Sequence, residues 1–360
     1  MIFVPLLVAF LTSLAVGELI LRTRHLHGHV TVDGTIGTQK IHRGEVPRIG
    51  GLAVGIGLLA GGLWMSLVGS DQWWVFAACA VPVFAAGFWE DLTKRVSVRT
   101  RLLATIVAGM VFSQATGYSL HHLGIPGVDS FLAVPLIALF FTGFAVGGVA
   151  NALNIIDGCN GLASGAGMIL LGAFGVIAWQ AGDTALTLVS LTTLCAVGGF
   201  FALNFPGGRI FLGDAGAYSI GFLLAALAVA LPARNPEISP VIGLLVLVYP
   251  VSETVFSILR RMGRGNGAVG RPDRQHLHSI VFRALNGVIE NKTYRNSTSA
   301  AVLWLLPLIS SMMAIMVARD STAEVLAVTL INALLYRGAY SVAVARARAR
   351  RRLGGVVGPE

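Results

Sequence analysis

The sequence predicts an all-α, polytopic integral membrane protein of about eleven transmembrane helices, its N-terminus outside and its C-terminus cytoplasmic. Three observations carry that reading. Hydrophobic residues make up 55% of the chain and charged residues only 12%, about half the charged share of a soluble domain, and the mean hydropathy is +0.77. Apolar stretches long enough to cross a hydrocarbon core of about 30 Å recur along the chain. Finally, 23 of the 26 Lys and Arg fall in alternate connecting segments, on one side, which is the positive-inside pattern. The lipid bilayer is therefore a partner by composition. The net charge of +9 follows from topology and attraction to anionic head groups, and requires no nucleic acid.

The spans follow in order. The first, near 2–21, has no basic segment ahead of it and is followed by Arg22 and Arg24, so it reads as a retained span rather than a cleaved leader. A basic loop near 39–49, within "QKIHRGEVPRIGG", leads into span 50–69. Its Arg48 reads as topological charge, whereas Lys40, His42 and Arg43 suit a lipid phosphate at the interface. A tight "GSDQ" joins span 73–89, whose inner end is "GFWEDLTKR" and places Glu90 and Asp91 at a helix C-terminus. Beyond the loop 90–101 come spans 102–118 and 131–150, joined outside by "HHLGIPGVD", where His121 and His122 read as interfacial.

Span 131–150 runs into "NALNIIDGCNGLASG", a concentration of amides and a carboxylate at the mouth of an apolar helix. Asn151, Asn154 and Asp157 are three apart and share a helix face, and Gly158 is expected to end the helix in the left-handed conformation. A carboxylate at a helix C-terminus is disfavoured by several tenths of a kcal/mol. Two helices make that placement here, and a bound cation or a cluster of positive charge would offset it.

Spans 162–181 and 185–203 form a hairpin through "AGDT". The loop 204–215, "NFPGGRIFLGDA", carries Asn204, Arg209 and Asp214 before span 216–232. Asp214 reads either as a helix N-cap or as a ligand to a cation bridging phosphates. The surrounding glycines allow close backbone approach and the helix N-terminus favours phosphate, so the second reading is preferred.

Span 238–259 leads into the loop 260–299, with "GRPDRQHLHSI". Arg274, His276 and His278 suit phosphate oxygens; zinc would need a cysteine or third histidine nearby. Spans 300–317 and 322–345 and a basic tail complete the chain. Cys79, Cys159 and Cys195 read as free thiols. With no repeat or linker, residues 1–360 read as one membrane-embedded domain, its polar motifs near 39–49, 90–101, 151–161, 204–215 and 260–299. A transporter would place polar or broken helices at the midplane, but these spans carry few charges, Glu18 and Glu253 among them.

Taken together, these motifs resemble the polyprenyl-phosphate N-acetylhexosamine-1-phosphate transferase superfamily (glycosyltransferase family 4) over about residues 39 to 280. The "PDRQHLH" form is more similar to the O-antigen and common-antigen initiating enzymes than to the phospho-MurNAc-pentapeptide translocase of peptidoglycan synthesis, whose loop carries three adjacent histidines; the translocase is the alternative. The resemblance implies transfer of a sugar phosphate from a UDP-N-acetyl sugar to undecaprenyl phosphate, at the cytoplasmic face of the bacterial inner membrane, with Mg²⁺ as cofactor and Mn²⁺ as a substitute. It implies Asp214 as the metal ligand with Asp91 nearby, and Asp91, Asp157, Asp214, His276 and His278 as catalytic. Lys40, His42, Arg43, Glu90, Asn154, Asn160, Asn204 and Arg274 are then expected to bind the substrates. A homodimer is compatible with this reading. Glu90 and Asn160 stand where the family commonly has Asp, and Ser279 where a histidine often completes the loop. A neutral Asn160 is no base. The lipid phosphate, with a second pKa near about 6, is expected to attack directly.

Overall fold

The structure, a computed structural model, describes residues 3–33, 46–67, 71–263 and 275–354. Its helices are α1 (Phe3–Arg22), α2 (Arg24–Thr31), α3 (Gly50–Leu67), α4 (Trp73–Thr93), α5 (Val98–Thr116), α6 (Val128–Leu132), α7 (Pro135–Ile156), α8 (Leu162–Gln180), α9 (Thr184–Asn204), α10 (Gly213–Arg234), α11 (Ile242–Val246), α12 (Val248–Met262), α13 (Leu277–Ala284), α14 (Lys292–Leu303), α15 (Leu305–Val317) and α16 (Thr322–Gly354). Among the described residues the only β structure is the antiparallel pair β1 (Val32–Asp33) and β2 (Val46–Pro47).

Nine helical segments among the described residues are long and apolar enough to cross a membrane. The other two expected spans differ for visible reasons. Helix α5 begins at Val98 rather than 102 because Ser97 accepts a hydrogen bond from the Thr100 N–H, an N-cap. That early start brings Arg99 and Arg101 into the helix. The segment 238–259 is broken at Leu247 into α11 and α12. Pro250 has no N–H to give the Val246 carbonyl, so the first helix stops there.

Helix α10 lies at the centre. Ala215, Ala217, Ile220, Phe222, Leu224, Ala226 and Ala230 are all fully buried, as expected of a helix that is apolar all round. It packs against α3, α4, α7 and α8. At its far end Arg234 forks onto Asp183, with Nε 2.5 Å and Nη2 3.2 Å from the two carboxylate oxygens, while Asp183 also caps α9 through the Leu186 N–H. That clasp fixes one end of α10. Its other end meets the polar motifs.

Candidate active site

The chain enters α10 through Gly213, at φ +72°. The cap of α10 comes from another helix. Asp91, at the inner end of α4, accepts the backbone N–H of Asp214 at 2.8 Å and of Ala215 at 2.9 Å, one on each oxygen. Arg48 stands 3.3 Å from the same carboxylate, which has no exposed surface. The unfavourable placement of an acid at the C-terminus of α4 is thus offset by the N-terminus of α10, where a cap contributes about 1 kcal/mol. Glycine makes the approach possible: a Cβ added at Gly87 would stand 2.6 Å from the Ala215 nitrogen, and one at Gly51 2.3 Å from the Gly216 nitrogen.

Because Asp91 supplies the cap, the Asp214 side chain is free to turn outward. Its Oδ1 accepts from Asn154 Nδ2 at 2.9 Å and its Oδ2 pairs with the Arg101 guanidinium, leaving the side chain 13% exposed. Arg101 lies over the Tyr218 ring, 5.5 Å from its centroid, and the Tyr218 hydroxyl donates to Asn151 Oδ1 at 3.0 Å. Asn151 and Asn154 therefore do share a face, and that face meets α10.

The turn after α7 departs from expectation. Its left-handed residue is Gly161, at φ +75°, rather than Gly158. The reversal is needed where the chain enters α8, not where it leaves α7. Gly158 instead lies flush against the His278 ring, where a Cβ would sit 2.1 Å from Nε2. Asp157 closes α7 through its backbone N–H to the Asn154 carbonyl at 3.2 Å. Its half-buried carboxylate accepts no hydrogen bond from the described residues. Burial, and then the Asp91 charge, push it up to about 7 against the pull of Arg48.

Three residues expected to bind substrate make hydrogen bonds to loop backbone. Asn204 accepts the Gly161 N–H at 2.6 Å and donates to the Ile210 carbonyl at 2.7 Å. Asn160 donates to the Pro206 carbonyl at 3.2 Å, and its own N–H is held by Asn296 Oδ1 at 2.7 Å. Glu90 accepts the Val96 N–H at 2.7 Å, closing the turn after α4. Each amide or carboxylate answers a backbone group that would otherwise be unpaired in a protein interior. Arg209 turns away to Glu18, 3.0 Å distant.

His276 and His278 flank Leu277 at the start of α13, with rings nearly parallel and centroids 5.6 Å apart. His276 Nδ1 lies 2.9 Å from Glu253 Oε1. Burial pushes His278 down to about 4, so it is neutral at pH 7, and its Nδ1 is buried without a partner. Lys40, His42, Arg43 and Arg274 lie outside the described residues. Four of the five polar segments thus converge through Asp91, Asn154, Asp214 and the turn beneath His278, and the fifth reaches them through Arg48. Among the described residues no three His, Cys, Asp or Glu gather as a metal-binding group.

Residues 73–232, which hold the whole α4–α10 junction, match the sequence profile of glycosyl transferase family 4. That segment is similar to glycosyl transferase family 4. A Bacillus subtilis (strain 168) protein named "Probable undecaprenyl-phosphate N-acetylglucosaminyl 1-phosphate transferase" is 28% identical over 279 residues, 77% of this chain and 76% of that protein. Proteins named undecaprenyl-phosphate alpha-N-acetylglucosaminyl 1-phosphate transferase are similar too: 28% identical in Yersinia pestis, over 74% of this chain and 73% of that one, and 29% in Escherichia coli (strain K12), over 74% and 72%.

The matched segment contains Asp91, Arg101, Asn154, Asp157 and Asp214, while the histidines lie beyond it. Arg48, Arg101 and Tyr218 are neighbours of the candidate residues that the sequence does not single out. Arg48 reads as topological charge, and Arg101 as a loop residue until the cap at Ser97 moves it onto a helix face. Asn296, Ser297 and Trp304 also escape notice. Ser297 donates to the Pro206 carbonyl and Trp304 Nε1 to the Gly161 carbonyl at 3.2 Å, so α14 and α15 clamp both polar loops.

Proposed function

We propose that this family 4 protein transfers an N-acetylhexosamine-1-phosphate from a UDP-sugar to undecaprenyl phosphate and releases UMP. The reaction takes place at the cytoplasmic face of the bacterial inner membrane, as the initiating step of O-antigen or another surface polysaccharide. The observation that carries this reading is the junction at the start of α10, where Asp214 is held outward between Asn154 and Arg101, within the segment that matches the family 4 profile, in a chain similar to proteins whose names specify that transfer.

Phosphoryl transfer of this kind depends on positioning and charge neutralisation more than on covalent help. Asp214 offers a hard, partly exposed oxygen donor, and Mg²⁺ bound beside phosphates takes only one or two carboxylates, so the donor set fits that ion. When bound at Asp214, Mg²⁺, or Mn²⁺ in its place, neutralises charge on the diphosphate oxygens. Asp91, with both oxygens committed to α10, acts by holding the turn that carries Asp214. Arg101 and Arg48, each beside a carboxylate, supply positive charge toward the diphosphate. Asp157, with its carboxylate unpartnered, receives hydrogen bonds from donor hydroxyls. His276 presents Nε2 to the diphosphate, and His278, being neutral, supplies shape and at most one N–H. Lys40, His42, Arg43 and Arg274 are assigned to the substrate phosphates on their basic character alone.

The test is UMP release by purified protein with Mg²⁺, undecaprenyl phosphate and a panel of UDP-sugars, UDP-GlcNAc first. A UDP-N-acetylhexosamine is expected to turn over and Asp214→Asn to lower the rate by at least about 10²-fold, the scale of losing one preorganised charge-stabilising group. Turnover of UDP-muramyl-pentapeptide alone would assign the protein to peptidoglycan synthesis instead. No UMP from any donor would overturn the proposal.

A further inference from the structure

Glu253 sits on α12 with 1% of its surface exposed and has no part in the chemistry above. A buried carboxylate is tolerated only where its lone pairs find donors. Here three groups supply them. His276 Nδ1 lies 2.9 Å from Oε1, the Leu277 N–H lies 3.2 and 3.3 Å from the two oxygens, and the Tyr336 hydroxyl, from α16, donates to Oε2 at 2.9 Å. The Leu277 N–H belongs to the first turn of α13, so the carboxylate also occupies the end of that helix where negative charge is favoured. The opposite ring nitrogen, His276 Nε2, has no partner among the described residues and is not sealed from solvent.

We propose that Glu253, braced by Tyr336, is the positioning residue of the histidine loop: it takes the Nδ1–H of His276, fixes the ring, and leaves Nε2 as the nitrogen that meets the diphosphate. The inference rests on the transfer reaction proposed above. An imidazole has two nitrogens, and a hydrogen bond at one decides what the other can do. Without the carboxylate, the ring would be free to flip and offer either edge. The His278 ring, parallel to His276 and set against Gly158, limits its tilt but makes no hydrogen bond that would choose the edge.

The experiment compares Glu253→Gln, Glu253→Asp, Tyr336→Phe and His276→Gln in full-length protein labelled with ¹⁵N-histidine in detergent. The His276 ring signal, assigned by its loss in His276→Gln, is expected to show a strongly hydrogen-bonded Nδ1–H that moves upfield in Glu253→Gln. UMP release is expected to fall about 10- to 100-fold in kcat, the range seen when a group that orients a histidine is lost, with KM for the UDP-sugar changed less. Glu253→Asp should restore part of it. In the His276→Gln background, Glu253→Gln should cost nothing more, because the two residues act as one unit. Losses that multiply in the double variant, or a ring signal indifferent to Glu253→Gln, would overturn the inference. Where Glu253→Gln yields no folded protein, Tyr336→Phe decides: it should lower kcat several-fold alone and not at all beside His276→Gln, and any other pattern overturns the inference. If the unaltered protein releases no UMP, the transfer reading fails, while the ring signal still decides whether Glu253 holds His276.

Discussion

Asp91, Asp157 and Asp214 are the same side chain in three surroundings, and the surroundings divide their work. Asp91 is saturated by two backbone N–H groups and Arg48, Asp214 is shared between an amide and a guanidinium, and Asp157 has no partner among the described residues. Burial of Asp157 beside the Asp91 charge has a measurable consequence. The Asp157 carboxyl is raised from an ordinary value of 3.8 to about 7, so the folded protein holds a proton there that the unfolded chain has released. Its contribution to stability is complete below about pH 4 and is lost as pH rises through about 7. Metal-free protein is therefore expected to melt at lower temperature at pH 8 than at pH 5.5, by a larger margin than Asp157→Asn does. Equal margins in a detergent melting series would show that Asp157 titrates normally.

At the scale of elements, the site depends on how closely α3 and α4 approach the first turn of α10. At Gly87 an added side chain meets backbone rather than flexible side-chain ends, so nothing can move aside. Gly87→Val is expected to destabilise by about 1–3 kcal/mol, the usual cost of overpacking, and to lower UMP release further by displacing Asp214. Gly148→Ala, on α7 with no neighbouring atom within 4 Å of the added Cβ, should leave the rate unchanged and raise the melting temperature slightly, since Ala favours the helix over Gly. The same junction shows what could be read from the chain. Apolar length and the one-sided basic residues locate most helices, and three-residue spacing correctly puts Asn151 and Asn154 on one face. The roles of Asn160 and Asn204 were not legible. An amide serves a ligand or a loop equally well, and the choice is made by partners such as Gly161 and Asn204, 43 positions apart. Arg101 was hidden because a charge near a membrane surface looks the same whether it faces water or folds back onto a carboxylate. The break at Leu247 did carry a local signal in Pro250.

For the whole molecule, the polar junction lies at one end of α10, opposite the Arg234–Asp183 clasp, which gives the orientation a direct test. Cysteine introduced at His121 is expected to react with a membrane-impermeant maleimide in intact spheroplasts, and cysteine at Lys292 only after permeabilisation. The reverse pattern would place the α10 junction outside and remove its access to cytosolic nucleotide sugars. The route from Tyr336 through Glu253 to His276 has a consequence for biosynthesis. Every recognisable motif has been synthesised once residue 280 is made, yet the hydroxyl that braces the histidines belongs to α16. A nascent chain stalled before α16 would hold both loops and the start of α10 while its imidazole remained unsteadied. Emergence and docking of α16, rather than synthesis of the motifs, is then the step that would steady His276.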